Sequence, residues 1–210
     1  MKKLKKVYRQ TTKRWKWALY KKRSILSKDI EDFLKDGVRL HIGCGDKKLE
    51  GYLNIDIVPT QATDVVMDIA KGLDRIPSDI AAEIRLESVF EHFYRYDQMQ
   101  ILRQFHRILK KGGSLLIYWL PDFDTMIEAY LKKENVGIKG EEFDLYNVYR
   151  YTHGDPIPKN SPQQLHKDIF TKDSIKSLLE EADFSIEKLK NEKFPGEHLA
   201  VGINIKAVKG

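Results

Sequence analysis

The alternating run Val38-Arg39-Leu40-His41-Ile42 passes straight into Gly43-Cys44-Gly45. Alternation at period two reads as a strand. A strand ending in Gly-x-Gly lets the backbone approach a ligand closely, because glycine lacks a Cβ and tolerates positive φ. This junction points to an open α/β sheet, in which ligands sit at the carboxyl ends of the strands.

The following residues fit such a sheet. Leu53 to Ile57 and Asp64 to Asp68 predict two short strands, each carrying a carboxylate at its end. Glu83 to Leu86 predicts a fourth, followed by a helix with Ile101, Leu102, Phe105, Ile108 and Leu109 at helical spacing and Gly112-Gly113 as its stop. Ser114 to Leu120 is nearly all apolar, as a strand covered on both faces requires, and Pro121 ends it. Residues 121 to about 170 form an irregular, aromatic insert too long for a simple connection, read as a substrate lid. Thr171 then caps a helix carrying Ile175, Leu178, Leu179 and Ala182, and Phe184 to Leu189 and Leu199 to Val208 predict two last strands. The short gap between these two suits an antiparallel hairpin better than a crossover. The expectation is a mostly parallel seven-stranded sheet with that hairpin at its C-terminal end.

The strand ends suggest the ligand. A dinucleotide fingerprint needs a third glycine at position 48, where this chain has Lys48, so a pyrophosphate is disfavoured, and a nicotinamide cofactor with it. Asp56 at the end of the second strand can accept hydrogen bonds from two ribose hydroxyls. Asp68 at the third can accept from an adenine amine. Together they describe an adenosine ligand without phosphates, although Asp56 also suits a turn and Asp68 a helix cap.

Charge is unevenly placed. Residues 1 to 24 carry eleven Lys or Arg and no acid, so with a net charge of +6 the remaining 186 residues sum to −5. In helical form this arm sets Leu4, Tyr8, Trp15 and Leu19 on one face, a basic amphipathic pattern that suits an anionic membrane surface, nucleic acid or packing on its own protein. A helical stretch from about Ser27 to Lys35 leads into the first strand. The single cysteine, Cys44, excludes an internal disulfide and fits a reducing compartment; with neither an apolar span nor a secretory pattern, a cytoplasmic address is expected.

The order His41-Ile-Gly-Cys-Gly45, Asn54-Ile-Asp56, Asp64-Val-Val-Met-Asp68, Glu91-His-Phe93 and Lys110-Lys-Gly-Gly113 resembles class I S-adenosylmethionine-dependent methyltransferases over roughly residues 37 to 210. More narrowly, Leu49 to Asp56, Leu120-Pro-Asp-Phe-Asp124 and His153-Gly-Asp155 with His166 resemble bacterial methyltransferases encoded among polysaccharide and glycosyltransferase genes. The resemblance implies a Rossmann-like three-layer sandwich, with residues 1–36 as the basic arm and 37–210 as the methyltransferase domain, 121–170 being its acceptor-side insert. It places Gly43 and Gly45 beside the methionine and ribose, Asp56 on the ribose, and Asp68 with Ile69 at the adenine, and assigns His41, Cys44 and Ile57 to the same cofactor site. Glu87 and Ser88 border the methyl-transfer region. Two features depart from the family pattern: His41 stands where an acid is usual, and only about nine residues link the first two strands, enough for a loop or a single turn.

Methyl transfer to a hydroxyl needs alignment and a proton acceptor. His92, His153 and His166 are the candidates, each with a structural role as its alternative. A metal held by His153, Asp155 and His166 lacks a diagnostic spacing, and no metal is expected. The insert aromatics Phe123, Tyr130, Phe143, Tyr146, Tyr149 and Tyr151 suit core packing first and stacking on an acceptor second. The leading expectation is O-methylation of a glycan or other small-molecule acceptor, with the arm meeting an anionic membrane surface as a peripheral contact. RNA methylation is disfavoured because Leu86 to Phe93 lacks a Pro-Pro-aromatic element and no later cysteine can act as a nucleophile. A methyltransferase fold that has lost catalysis is the third reading.

Overall fold

A computed structural model describes residues 30–137, 141–154 and 161–210. The arm of residues 1 to 24, the first three residues of the Ser27 to Lys35 stretch, and Asp155 lie outside the described residues; the rest of that stretch holds one 3-10 turn, Ile30–Phe33.

Among the described residues seven strands form one sheet: β1 (Val38–Ile42), β2 (Leu53–Asp56), β3 (Val65–Val66), β4 (Ala81–Glu87), β5 (Leu109–Pro121), β6 (Phe184–Glu192) and β7 (Gly202–Lys209). Their order is β3-β2-β1-β4-β5-β7-β6. The neighbours from β3 through β5 pair in parallel, while β7 runs antiparallel to both β5 and β6. The Rossmann-like α/β architecture and the antiparallel C-terminal hairpin expected from the sequence are therefore present.

The sheet is held by its apolar interior. Leu40 and Ile42 on β1, Ile84 and Leu86 on β4, and Leu115 and Leu120 on β5 have no exposed surface. Helix α2 (Arg95–Ile108), which follows the short α1 (Ile69–Gly72), buries Gln98, Ile101, Leu102, Phe105 and Ile108 at helical spacing. Arg107 in its last turn donates to the carbonyls of Leu73 and Ile76, both at 2.9 Å, stitching the helix to the segment before β4. Its end differs from the sequence expectation. The helix stops at Ile108 and β5 begins at Leu109, so Gly112 and Gly113 lie within strand five rather than closing the helix. The register explains it: Leu109 pairs with Ala81 and Ser114 with Glu83, so Lys110 to Gly113 loop out between the two rungs. Gly112 supplies the positive φ of 74° that this excursion needs.

The insert is more ordered than its composition suggests. Helices α3 (Phe123–Lys132) and α4 (Leu145–His153) enclose a second small core of Met126, Ala129, Phe143, Tyr151 and Val201. Its ends are pinned together, because Phe123 N–H donates to the Phe170 carbonyl and Asp122 N–H to the Val201 carbonyl, both at 2.8 Å. That second bond also explains why β7 begins at Gly202 rather than Leu199: the residues before it are drawn to the insert. Helix α5 (Lys172–Glu181) opens with a reciprocal cap between Thr171 and Ser174 and buries Ile175 and Leu179.

Phe105 is fully buried between α2 and the sheet. Phe105→Ala is expected to cost about 3–5 kcal/mol of stability, measured by urea unfolding followed by circular dichroism. A loss under about 1 kcal/mol would show that this helix is not part of the cooperative core.

Candidate active site

A cavity of about 710 Å³ opens at the carboxyl ends of β1 to β4. This is the size of a small-molecule site, at the point where strand order reverses around β1. Its wall includes His41, Gly43, Cys44 and Gly45 from the β1 turn, Asp56 and Ile57 after β2, Asp68 and Ile69 after β3, and Glu87 and Ser88 at the end of β4. All ten residues assigned to the cofactor from sequence are thus brought to one surface.

The β1 turn continues the sheet for one more step, since Gly43 N–H donates to the Ile55 carbonyl at 2.8 Å. A side chain at Gly43 would meet the Val89 methyls at 2.4 and 2.7 Å, and its φ is +68°. Gly45, at φ +54°, has open space where a Cβ would lie, and its N–H donates to Asp56 Oδ2 at 2.8 Å. The other Asp56 oxygen accepts from Val58 N–H at 2.8 Å. Asp56 therefore shapes the turn, and each carboxylate oxygen has a second lone pair for a ligand hydroxyl. Asp68 likewise combines both of its sequence readings: it lines the cavity and caps α1 by accepting from Ala70 N–H at 3.1 Å.

No helix lies between β1 and β2; residues 43–52 form a loop, as the short link required. Asn54 organises it, accepting from Leu49 N–H at 2.9 Å and donating to the Leu49 and Tyr52 carbonyls and to Asp64. His41 joins this network through Nδ1, 3.0 Å from Asn54 Oδ1. Burial dominates its environment and holds its pKa below the ordinary value, so it is neutral at neutral pH. Without a helix dipole aimed at the turn, the site lacks the usual anion trap for a pyrophosphate.

At the β4 end, Glu87 pairs with Lys47 at 2.6 Å and with Arg85 at 2.5 Å. Burial alone would raise its carboxyl, but the two cations outweigh it and hold it below its usual range. Two non-glycine residues on the wall, Ser88 and Trp119, have positive φ, 51° and 58°. Trp119 sits on a bulge, where the β5–β7 register slips between Ile117 and Leu120, and its N–H is held by Asn204 Oδ1 at 2.8 Å. Backbone strain of this kind persists where the surroundings over-determine it.

The histidines separate. His92 lines the cavity; His153 and His166 do not. His153 stacks on Tyr149 with ring centroids 5.0 Å apart. His166 lies beside His92, 5.0 Å between centroids, rather than joining His153 through its side chain. The insert aromatics are also displaced from their suggested stacking role: Phe143 and Tyr151 are core, Tyr130, Tyr146 and Tyr149 are exposed, and none of the six lines the cavity. Phe93, Tyr94, Tyr96 and Trp119 supply its aromatic wall, and the insert contributes Gln163, Gln164 and Lys167. Sequence reasoning missed these. Tyr94 and Tyr96 stack with centroids 5.2 Å apart just after the Glu91-His92 turn, and their closeness to the end of strand four was the available signal.

No protein-family model matches the sequence, and no curated protein matches it either. Among solved structures, a S-adenosylmethionine-dependent methyltransferase from Methanosarcina mazei is 16% identical, with 86% of this chain and 96% of that chain covered and a TM-score of 0.53. The fold is that of the S-adenosylmethionine-dependent methyltransferases. A methyltransferase from Thermotoga maritima, described as a possible histamine N-methyltransferase, is 18% identical over 96% of this chain and 97% of its own, with a TM-score of 0.51. The 1,6-didemethyltoxoflavin-N1-methyltransferase of Burkholderia thailandensis, with its substrate and S-adenosylhomocysteine bound, is 14% identical over 99% of this chain and 86% of its own, TM-score 0.53. Within this methyltransferase fold, Cys44 sits in the glycine turn, and burial pushes its thiol up to about 11.

A thiol raised in the folded state stays protonated where the unfolded one, near 8.5, ionises, so stability should fall as pH climbs from about 8.5 toward 11. At pH 8, Ellman's reagent should label native Cys44 slowly and urea-unfolded protein promptly. Equal rates would refute the burial of this turn.

Proposed function

We propose that this chain is a S-adenosylmethionine-dependent methyltransferase that acts on a hydroxyl of a sugar, glycan or other small-molecule acceptor. The observation that carries the reading is the placement of a glycine turn, Asp56 and Asp68 around one cavity at successive strand ends. That set fits an adenosine ligand without phosphates: backbone can approach at Gly43 and Gly45, Asp56 retains acceptor capacity toward ribose hydroxyls, and Asp68 with Ile69 stands at the place for adenine. S-adenosylmethionine supplies a methyl group made electrophilic by its sulfonium.

The chain's own residues handle the acceptor. Phe93, Tyr94, Tyr96 and Trp119 give the cavity an aromatic wall suited to the apolar face of a sugar ring, and Gln163, Gln164 and Lys167 offer donors to its oxygens. His92 is the base of this reading. Its Nδ1 lies 3.1 Å from the Leu165 carbonyl, which can only accept, so Nδ1 carries the proton and Nε2 the lone pair. Burial, with Lys167 nearby, lowers the His92 pKa against the opposing pull of backbone carbonyls, which keeps the ring neutral and able to take a hydroxyl proton. A location at an anionic membrane surface rests on the eleven basic residues among the first 24.

Calorimetric titration tests the cofactor reading. S-adenosylmethionine and S-adenosylhomocysteine are expected to bind the wild type at micromolar Kd, and Asp56→Ala to weaken both by one to two orders of magnitude, about 1.5–3 kcal/mol for lost charged hydrogen bonds. Asp56→Asn, which keeps one acceptor oxygen, should fall between. Absence of binding to folded wild type would leave a methyltransferase fold without its cofactor. For the arm, flotation with anionic liposomes should be lost on deleting residues 1 to 24; unchanged flotation would remove the membrane from the reading.

A further inference from the structure

The turn after β4 (Phe90–His92) and the returning end of the insert are clasped together. Lys167 N–H donates to the Glu91 carbonyl and Lys167 Nζ to the His92 carbonyl, both at 2.8 Å. Arg95 and Gln98 grip Asp168 one residue further on. This clasp brings three side chains from distant parts of the sequence to one point. We propose that Glu91, His92 and His166 bind one divalent first-row transition-metal ion beside the cavity.

Three observations support the assignment. Ligand atoms of the three side chains all lie within 4.8 Å of one another. Tetrahedral N and O ligands at about 2.0–2.2 Å from an ion stand about 3.4 Å apart, so modest side-chain rotations close the set. Second, the imidazoles are oriented as ligands usually are. His92 Nδ1 faces the Leu165 carbonyl at 3.1 Å and His166 Nδ1 the Tyr151 carbonyl at 2.8 Å. A backbone carbonyl bound to one ring nitrogen places the proton there and turns the lone pair of the other nitrogen outward for a metal. His166 Nε2 points toward Glu91, 4.0 Å from Oε1. Third, the Glu91 side chain is only 2% exposed and its Oε2 has no hydrogen-bond partner among the described residues. A buried carboxylate in that position is costly unless a cation or proton satisfies it.

The ligand set selects the ion. Two imidazoles and one carboxylate suit Zn²⁺, Mn²⁺, Fe²⁺ or Co²⁺, whereas Mg²⁺ and Ca²⁺ want mostly oxygen. The Lys167 ammonium, packed against His92, opposes a cation held by charge alone and favours one held by nitrogen bonds. Three protein ligands leave a position for an outside oxygen, and a metal there would acidify a bound hydroxyl. His92 would then serve as ligand rather than as proton acceptor, which refines the acceptor side of the function proposed above. Binding of the ion itself does not require that function.

The test uses the untagged full chain, stripped of metal and titrated with Co²⁺ and Zn²⁺. One equivalent of Co²⁺ should give a d–d absorption band that Zn²⁺ abolishes and Mg²⁺ does not. Glu91→Gln and His166→Ala should each weaken Zn²⁺ binding at least about 100-fold, beyond the 10–100-fold typical of outer-sphere changes, while His153→Ala leaves it unchanged. Melting curves verify that each variant is folded, and Zn²⁺ should raise Tm for the wild type far more than for either variant. Failure of the folded wild type to bind, or binding indifferent to both substitutions, overturns the site. S-adenosylmethionine titrated into the same samples separates the two proposals: cofactor binding without metal binding sinks only the metal site, and metal binding without cofactor binding sinks only the methyltransferase reading.

Discussion

Strand β1 is paired in parallel with β2 on one side and β4 on the other, and the geometry of the cavity depends on that arrangement. Connections leave β1 in one direction across the sheet and return to its other side at β4, so the loops after the two neighbours diverge and a crevice opens between them. Leu40 and Ile42, with no exposed surface, fix the register that makes it so. A slip of one residue would turn His41 into the apolar layer and carry Gly43 out of line with Val89, whose methyls already fill the space a side chain there would need.

From that frame the polar residues at the cavity edge acquire two duties each. Asp56 holds the glycine turn by two backbone N–H groups and still faces the cavity; Asp68 caps α1 and lines the same wall. Glu87 is kept ionised by Lys47 and Arg85, which also lie over the Trp119 and Tyr118 rings at 5.6 and 4.5 Å. Such shared partners couple the loop after β1 to the ends of β4 and β5. Structural and binding readings of a carboxylate are thus not exclusive at a strand end, where orphan backbone donors and a ligand compete for different lone pairs of one group.

The opposite wall of the cavity is built differently. It depends on residues seventy or more positions apart in sequence, joined by Lys167 to Glu91 and His92 and by Asp168 to Arg95 and Gln98. The insert packs on its own core, Met126, Phe143 and Tyr151 among others, and among its described residues delivers the segment around residues 163–168 to the site. Phe143 and Tyr151 therefore spend their surface on folding the insert, while the tyrosines after β4 stand on the cavity wall.

The sequence by itself determined the sheet, its hairpin end and which strand-end residues line the cavity, because each of these is written in local pattern. Period-two alternation marks a strand, a glycine pair marks its open end, and an acid closes the next strand. It also carried the shortness of the link after β1, which left no length for a helix. Where a strand begins was less legible: Gly112 and Gly113 read as a helix stop, and only pairing with Ala81 and Glu83 shows them in an excursion of β5. The histidines show the limit most clearly. His153 and His166 are near in sequence and share a backbone hydrogen bond, yet the His166 ring faces His92 and Glu91. Nothing local encodes that pairing; it follows from where the insert returns to the sheet, and a long-range contact of this kind exists only once both cores have packed.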